Sequence, residues 1–189
     1  MIYLASASPR RQAILRQMGF SFTVTPSHIE ETIVPGAAPD AAVSDLARRK
    51  AEALPVILRD DDVVLGADTV VTIDGIILGK PVNADAAAQM LRLLSGRTHE
   101  VYTGVFLKTR RESETFVCRA EVTFYPLTDA DIAGYIATGE PMDKAGAYGI
   151  QGRGCMLTRS LSGDFYTVVG LPAGETARRL RRLGIRPAE

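Results

Sequence analysis

The chain has 189 residues, 46% of them hydrophobic, and its 22 Lys plus Arg are balanced by 22 Asp plus Glu. That size fits one compact domain over 1–189, or two lobes sharing a continuous core, and zero net charge excludes a polybasic coat for nucleic acid or membrane. Any anion binding must come from a local cluster.

Two cysteines far apart, Cys118 and Cys155, and two histidines, His28 and His99, offer neither a zinc spacing nor a disulfide framework. No basic segment followed by an apolar run opens the chain, and no uncharged apolar run reaches the roughly 18 residues of a bilayer span. A soluble cytoplasmic protein without a membrane or nucleic-acid partner is expected.

Ile2 to Ala5 reads as a short buried strand, and Pro9 to Met18 as a helix with Ile14, Leu15 and Met18 on one face and Gly19 as its stop. Phe22 to Thr25 is a second strand, followed by a polar, Pro/Gly-rich loop over 27–39. Asp40 is expected to cap a helix that turns Val43, Leu46, Ala47, Ala51 and Leu54 inward. The run "DDVVLGADTVVTIDGIILGKP" predicts a buried strand, an interruption at Gly66 to Asp68, a second strand, and an Asp74-Gly75 turn into a third.

A helix over Asp85 to Leu94 follows, then strands at Glu100 to Leu107 and Thr115 to Tyr125. Thr128 caps a helix stopped by Gly139, "DKAGAYGIQGRG" is a glycine-rich loop, Asp164 to Val169 reads as a strand, and Pro172 to Leu183 as the closing helix. Early alternation of helix and strand, then consecutive strands, predicts an α/β fold with a mixed sheet.

Arg10 and Arg11 stand where a helix N-terminus favours acidic residues. Either they form a solvated helix end, or they belong to an anion site. In the second case the small-residue turn "ASAS" supplies backbone N–H groups, Ser6 and Ser8 add hydroxyls, and each arginine offers a planar fork to phosphate oxygens.

Asp68, at the end of an apolar run, is either a turn aspartate or a paired, metal-binding or catalytic carboxylate. Lys80 in "GIILGKP" is either a solvated lysine after a hairpin or a phosphate ligand; the spacing is not that of a Walker loop. One of Glu30 and Glu31 can join Asp68 in holding Mg²⁺, a hard cation that prefers carboxylates and water. Lys50 falls at the edge of the buried face of its helix. Tyr148 and Gln151 offer a ring and an amide able to read a base edge. The C-terminal "ARRLRRLGIR" reads as the solvated face of a helix, and no nucleophile–His–acid set has motif support. Separated basic residues, two or three carboxylates and no covalent nucleophile make the inventory of metal-assisted phosphoanhydride hydrolysis.

The segments "LASASPRR", "IEE", "ARRKA", "GADTVV", "GKP", "LSGRTHEVYTGV", "DKAGAYGIQG" and "VVGLP", in this order across almost the whole chain, resemble the Maf (septum formation inhibitor-like) nucleoside triphosphate pyrophosphatases. The resemblance implies a twisted mixed β-sheet flanked by helices, in two lobes with a deep central cleft, often in a homodimer. It implies hydrolysis of a nucleoside triphosphate to the monophosphate and pyrophosphate with Mg²⁺, or Mn²⁺ or Co²⁺ in its place. "AYGIQG" is similar to the branch acting on dTTP and UTP.

On the matching positions, the resemblance makes Asp68 the general base. It places Arg10, Arg11, Lys50 and Lys80 on the phosphate chain, Glu31 on the metal or the water, and Thr69 and Gln151, with Arg10, at base selection. Two rival functions remain: a non-catalytic nucleotide-binding regulator of division and septum formation, or a pyrophosphatase for purine triphosphates such as ITP or 7-methyl-GTP.

Overall fold

The computed structural model describes residues 1–188. The strands are β1 (Ile2–Leu4), β2 (Phe22–Val24), β3 (Val63–Ile73), β4 (Ile76–Leu78), β5 (Thr98–Lys108), β6 (Ser113–Phe124) and β7 (Thr158–Ser162). The helices are α1 (Pro9–Gln17), α2 (Pro39–Glu52), α3 (Ala84–Leu94), α4 (Asp129–Ile136), α5 (Phe165–Val169) and α6 (Ala173–Arg182). Strand order in the mixed sheet is β2-β1-β3-β5-β6-β7, with β4 paired to β3. β1 runs parallel to both β2 and β3, whereas β3–β4 and β6–β7 are antiparallel. This is the expected α/β architecture. No described helix is long and apolar enough to cross a membrane.

The chain forms two compact units. The first comprises Met1–Asp68, Thr103–Cys118 and Gly170–Glu189. The second comprises Thr69–Tyr102 and Arg119–Val169.

The interior of the first unit holds large side chains such as Ile2, Leu15, Leu65, Leu107 and Leu180, but α2 meets the strands through small ones. Ala5, Ala47, Ala51, Leu54, Val64 and Phe106 form one buried cluster. Their size lets α2 lie directly on the strands. A Cβ at Gly66 would overlap the carbonyl oxygen of Ala47 and press on the Ala51 methyl, and one at Gly104 would come within 2.7 Å of the Val43 carbonyl. Gly66 is thus not a break: β3 runs unbroken through Val63–Ile73, and the glycine is a notch that admits the helix. Asp40 does not cap α2 either. Pro39 takes the first helical position, Ala38 becomes the N-cap, and Asp40 falls in the first turn, where its charge suits the dipole.

The second unit has a conventional core of large side chains, among them Val71, Leu91, Leu94, Val122, Phe124, Ile132 and Tyr148. The Asp74-Gly75 hairpin forms as expected, pairing Ile73 with Ile76. Asn83 caps α3 by accepting from the Ala86 N–H at 2.8 Å, and Thr128 caps α4 in a reciprocal box with Asp131. Asp164 to Val169 is not a strand. The Asp164 carboxylate accepts from the N–H groups of Tyr166 and Thr167 and from the Thr167 hydroxyl, and so starts the short helix α5. The strand in this stretch is β7, whose polar sequence TRSLS hides it.

His99 is 1% exposed and sits edge-on to both Phe124 and Tyr148, with Nε2 2.8 Å from the Tyr148 hydroxyl oxygen. Burial pushes its imidazole down from 6.5 to about 4.

Two outcomes follow from this packing. Gly104→Ala is expected to cost about 1–3 kcal/mol by overpacking against α2, read as a lower urea midpoint at constant slope. For His99, the unfolded chain takes up a proton below about pH 6.5 and the folded chain only below about 4, so stability falls with falling pH in that window. The expected loss between pH 7 and pH 5 is about 2 kcal/mol. An unchanged loss in His99→Gln would remove His99 as its source.

Candidate active site

Helix α1 has Pro9 at its first position but lacks the other usual aids to a helix start. Its first turn holds no acidic residue, and Ser8 at the N-cap makes no side-chain cap hydrogen bond. The hydroxyl that matters is that of Ser6, 8% exposed, whose Oγ accepts from the Ser8 N–H at 3.2 Å and from Arg11 Nη1 at 3.1 Å. Arg11 Nε donates to the Gly170 carbonyl at 2.8 Å. Its guanidinium is therefore clasped from both sides. Desolvation lowers its pKa from the ordinary value, the Asp68 carboxylate opposes that, Arg10 adds to the lowering, and Glu31 again opposes it. The two arginines and the two carboxylates thus act on one another within the first unit.

The centre of this group is Lys50, 6% exposed near the end of α2. Its ammonium lies 2.5 Å from Asp68 Oδ1 and 2.8 Å from Glu31 Oε1. Asp68 is 7% exposed on β3, whereas the Glu31 side chain is 44% exposed on the loop before α2. A buried cation between two carboxylates meets the demand that buried charge be paired.

Ser6, Arg11, Glu31, Lys50 and Asp68 are thereby brought together, with Ser8 and Arg10 on the same helix start. Thr69, Lys80 and Gln151 lie in the second unit. Thr69 follows Asp68 on β3, Lys80 is exposed just past β4, and Gln151 is exposed immediately before the 3₁₀ turn Gly152–Leu157.

Among the described residues no group of three or more His, Cys, Asp or Glu is arranged to hold a metal ion. Glu31 and Asp68 are the two carboxylates that share a cation here, and that cation is Lys50. Such a pair suits Mg²⁺ bound jointly by one or two carboxylates, water and substrate phosphates, and does not suit an all-protein cage.

Two contributions escaped sequence reasoning. One is the Gly170 carbonyl, which anchors Arg11 across a large sequence separation; only the glycine of "VVGLP" hinted at it. The other is the support beneath the glycine-rich loop. Tyr135 Oη accepts from the Gly149 N–H at 3.0 Å, and Glu140 accepts from the Arg153 N–H at 3.0 Å. The C-terminal arginines are also more than a solvated face: Arg179 bonds Glu175 and Glu114 and stacks on the Phe116 ring at 4.3 Å.

A mixed α/β sheet bearing clustered arginines, a buried lysine–carboxylate pair and a second carboxylate is a protein equipped to handle a polyanion. The chain belongs to the Maf family: the family model described as "Maf-like protein" matches residues 1–183. A Bacillus cereus (strain B4264) protein named dTTP/UTP pyrophosphatase is 48% identical over 184 residues, 97% of this chain and 96% of the relative. A Bacillus cytotoxicus protein of the same name is 50% identical over 179 residues, 95% of this chain and 93% of the relative. Among solved structures, the Staphylococcus aureus Ham1 protein is similar over 65% of this chain and 71% of its own, with a TM-score of 0.41 and 15% identity.

Removing the buried cation tests the pairing. Lys50→Met leaves Asp68 buried without its partner and is expected to destabilise the fold by about 3–5 kcal/mol in urea unfolding. Lys50→Met combined with Asp68→Asn should recover part of that loss, because the two sites are coupled. A single-variant loss below about 1 kcal/mol would show the pair to be solvated.

Proposed function

We propose that the protein hydrolyses nucleoside triphosphates, dTTP and UTP foremost, to the nucleoside monophosphate and pyrophosphate. The observation that carries the reading is the Glu31–Lys50–Asp68 group beside the Ser6–Arg11 clasp. The relatives' shared name supports pyrimidine over purine triphosphates as substrates.

Asp68 is assigned as general base. Lys50 engages its Oδ1, and the reading gives Oδ2 to the attacking water. The water oxygen bonds to the α-phosphorus and its proton passes to Asp68. The bond from that phosphorus to the bridging oxygen breaks, and pyrophosphate leaves with the electron pair. Arg10, Arg11, Lys50 and Lys80 are assigned to the phosphate chain, where they offset charge gathering on the leaving group. The Ser6 and Gly170 contacts on Arg11 support this, because a guanidinium held in place needs little reorganisation during the reaction.

Glu31 and Asp68 are the residues that would hold the metal, which when bound neutralises charge on the triphosphate. Thr69 and Gln151, with Arg10, are assigned to base selection. A glutamine amide complements the O4 and N3–H edge shared by uracil and thymine. Mg²⁺, with Mn²⁺ or Co²⁺ as substitutes, a cytoplasmic setting and a homodimer belong to the same proposal by likeness to the family.

Hydrolysis of UTP in ¹⁸O-water with Mg²⁺ is expected to yield UMP carrying the label and unlabelled pyrophosphate. Label in pyrophosphate, or release of UDP and orthophosphate, would place the attack elsewhere. Asp68→Asn should keep UTP binding and lose about 10²–10⁴-fold in kcat. Near-normal turnover would remove Asp68 as the base.

A further inference from the structure

Gln151 is exposed, and its side chain has several rotatable bonds. An amide on a free loop would take up many positions against a base edge and tell uracil from cytosine poorly. Selection requires that the backbone from which it springs be held.

The structure supplies that hold from below. Upstream of Gln151, the Gly149 N–H donates to the Tyr135 hydroxyl at 3.0 Å. Downstream, the Arg153 N–H donates to Glu140 Oε1 at 3.0 Å and the Gly154 N–H to Oε2 at 3.4 Å. The two ends of the loop also touch, since a Cβ at Gly154 would overlap the Gly149 carbonyl oxygen and lie 2.8 Å from the Tyr135 hydroxyl. Glu140 is itself fixed. Its N–H donates to Thr138 Oγ1 at 3.1 Å, and its carbonyl accepts from Lys144 Nζ at 2.5 Å. The Arg153 N–H, with Gly154 and Lys144 assisting against desolvation, holds the Glu140 carboxyl below its ordinary range, so the clamp is a charged acceptor at neutral pH.

We propose that Glu140 is a positioning residue for base selection: its carboxylate grips the Arg153 and Gly154 N–H groups and so fixes the point from which Gln151 meets the base. This rests on the assignment of Gln151 to the base made above. Glu140 touches no reacting atom. It acts through the backbone of Arg153 and Gly154, just downstream of Gly152, and the quantity it controls is discrimination between substrates.

The test compares kcat/KM for UTP and CTP in the wild type, Glu140→Gln, Gln151→Ala and the double variant. Glu140→Gln replaces one acceptor oxygen by an NH₂ group that faces a backbone donor. The UTP-to-CTP ratio is expected to fall about tenfold, carried mainly by a higher KM for UTP. Gln151→Ala should lower the same ratio, and the double variant should lie no lower than the worse single one. A purely structural role would lower the melting temperature and leave the ratio intact.

Glu140→Asp, one methylene short of both N–H groups, should lower the ratio to a smaller degree and serves if the glutamine variant does not fold. A wild-type ratio in whichever variant folds, or additive effects in the double, overturns the proposal. Selectivity lost in Gln151→Ala but kept in Glu140→Gln overturns this inference alone. A wild type without preference for UTP, or a Gln151→Ala variant with the ratio intact, overturns the reading of Gln151 and this inference with it.

Discussion

The first unit depends on how closely α2 can approach the sheet. Gly66 and Gly104 leave no Cβ between the helix and the strands, and Ala47, Ala51 and Ala5 fill what space remains. A helix packed on side chains stands several ångströms higher. At this distance a lysine one turn beyond Leu46 ends beside a carboxylate on the strand, and Lys50 Nζ reaches Asp68 Oδ1 at 2.5 Å. Packing and electrostatics are thus the same fact seen twice. The notch sets the helix height, and the height places the buried cation.

The charges around this point share one logic. Isolated burial of Lys50 or Asp68 would be costly, and each makes the other tolerable. Arg11 is treated in the same way: it is desolvated, then compensated by Asp68 and Glu31 and clasped by Ser6 and Gly170. Arg10 and Arg11 still oppose the α1 dipole, and no acidic residue in the first turn relieves them. A fold selected for stability alone would place Asp or Glu there. A site that must receive several phosphates is served by leaving the conflict in place, because the incoming anion resolves it.

How far the chain could be read beforehand follows the same division. Features set by neighbours in sequence were legible: the Asp74-Gly75 hairpin, the Thr128 cap and the helix over Asp85 to Leu94. Features set by contact at long range were not. Gly66 reads as a break because its sequence context cannot show the Ala47 carbonyl lying against it. Asp164 to Val169 is too short to show a helical period and is rich in aromatic and β-branched residues, and β7 has too few apolar residues to reveal a strand. In the candidate site, residue types were visible and partners were not. "PRR" left an anion site open beside a solvated helix end, whereas the bond from Arg11 to Gly170 spans nearly the whole chain.

Lys50 and Asp68, assigned to phosphate chemistry, and Gln151, assigned to the base, are built on different kinds of backbone. Lys50 and Asp68 stand on a long helix and a long strand, each held by its own ladder of backbone hydrogen bonds. Gln151 stands on a segment rich in glycine, with Gly146, Ala147 and Gly152 all at positive φ. Such a segment has no ladder of its own, so its shape must come from side chains elsewhere, here Tyr135, Glu140 and Lys144. On the proposed assignments, the Lys50–Asp68 chemistry is held by helix and strand and the reading of the base by Gln151 is held by side-chain clamps, so the two can change independently. Altering a clamp or the amide it holds would then be one route to a change of base preference that leaves the Lys50–Asp68 pair as it is.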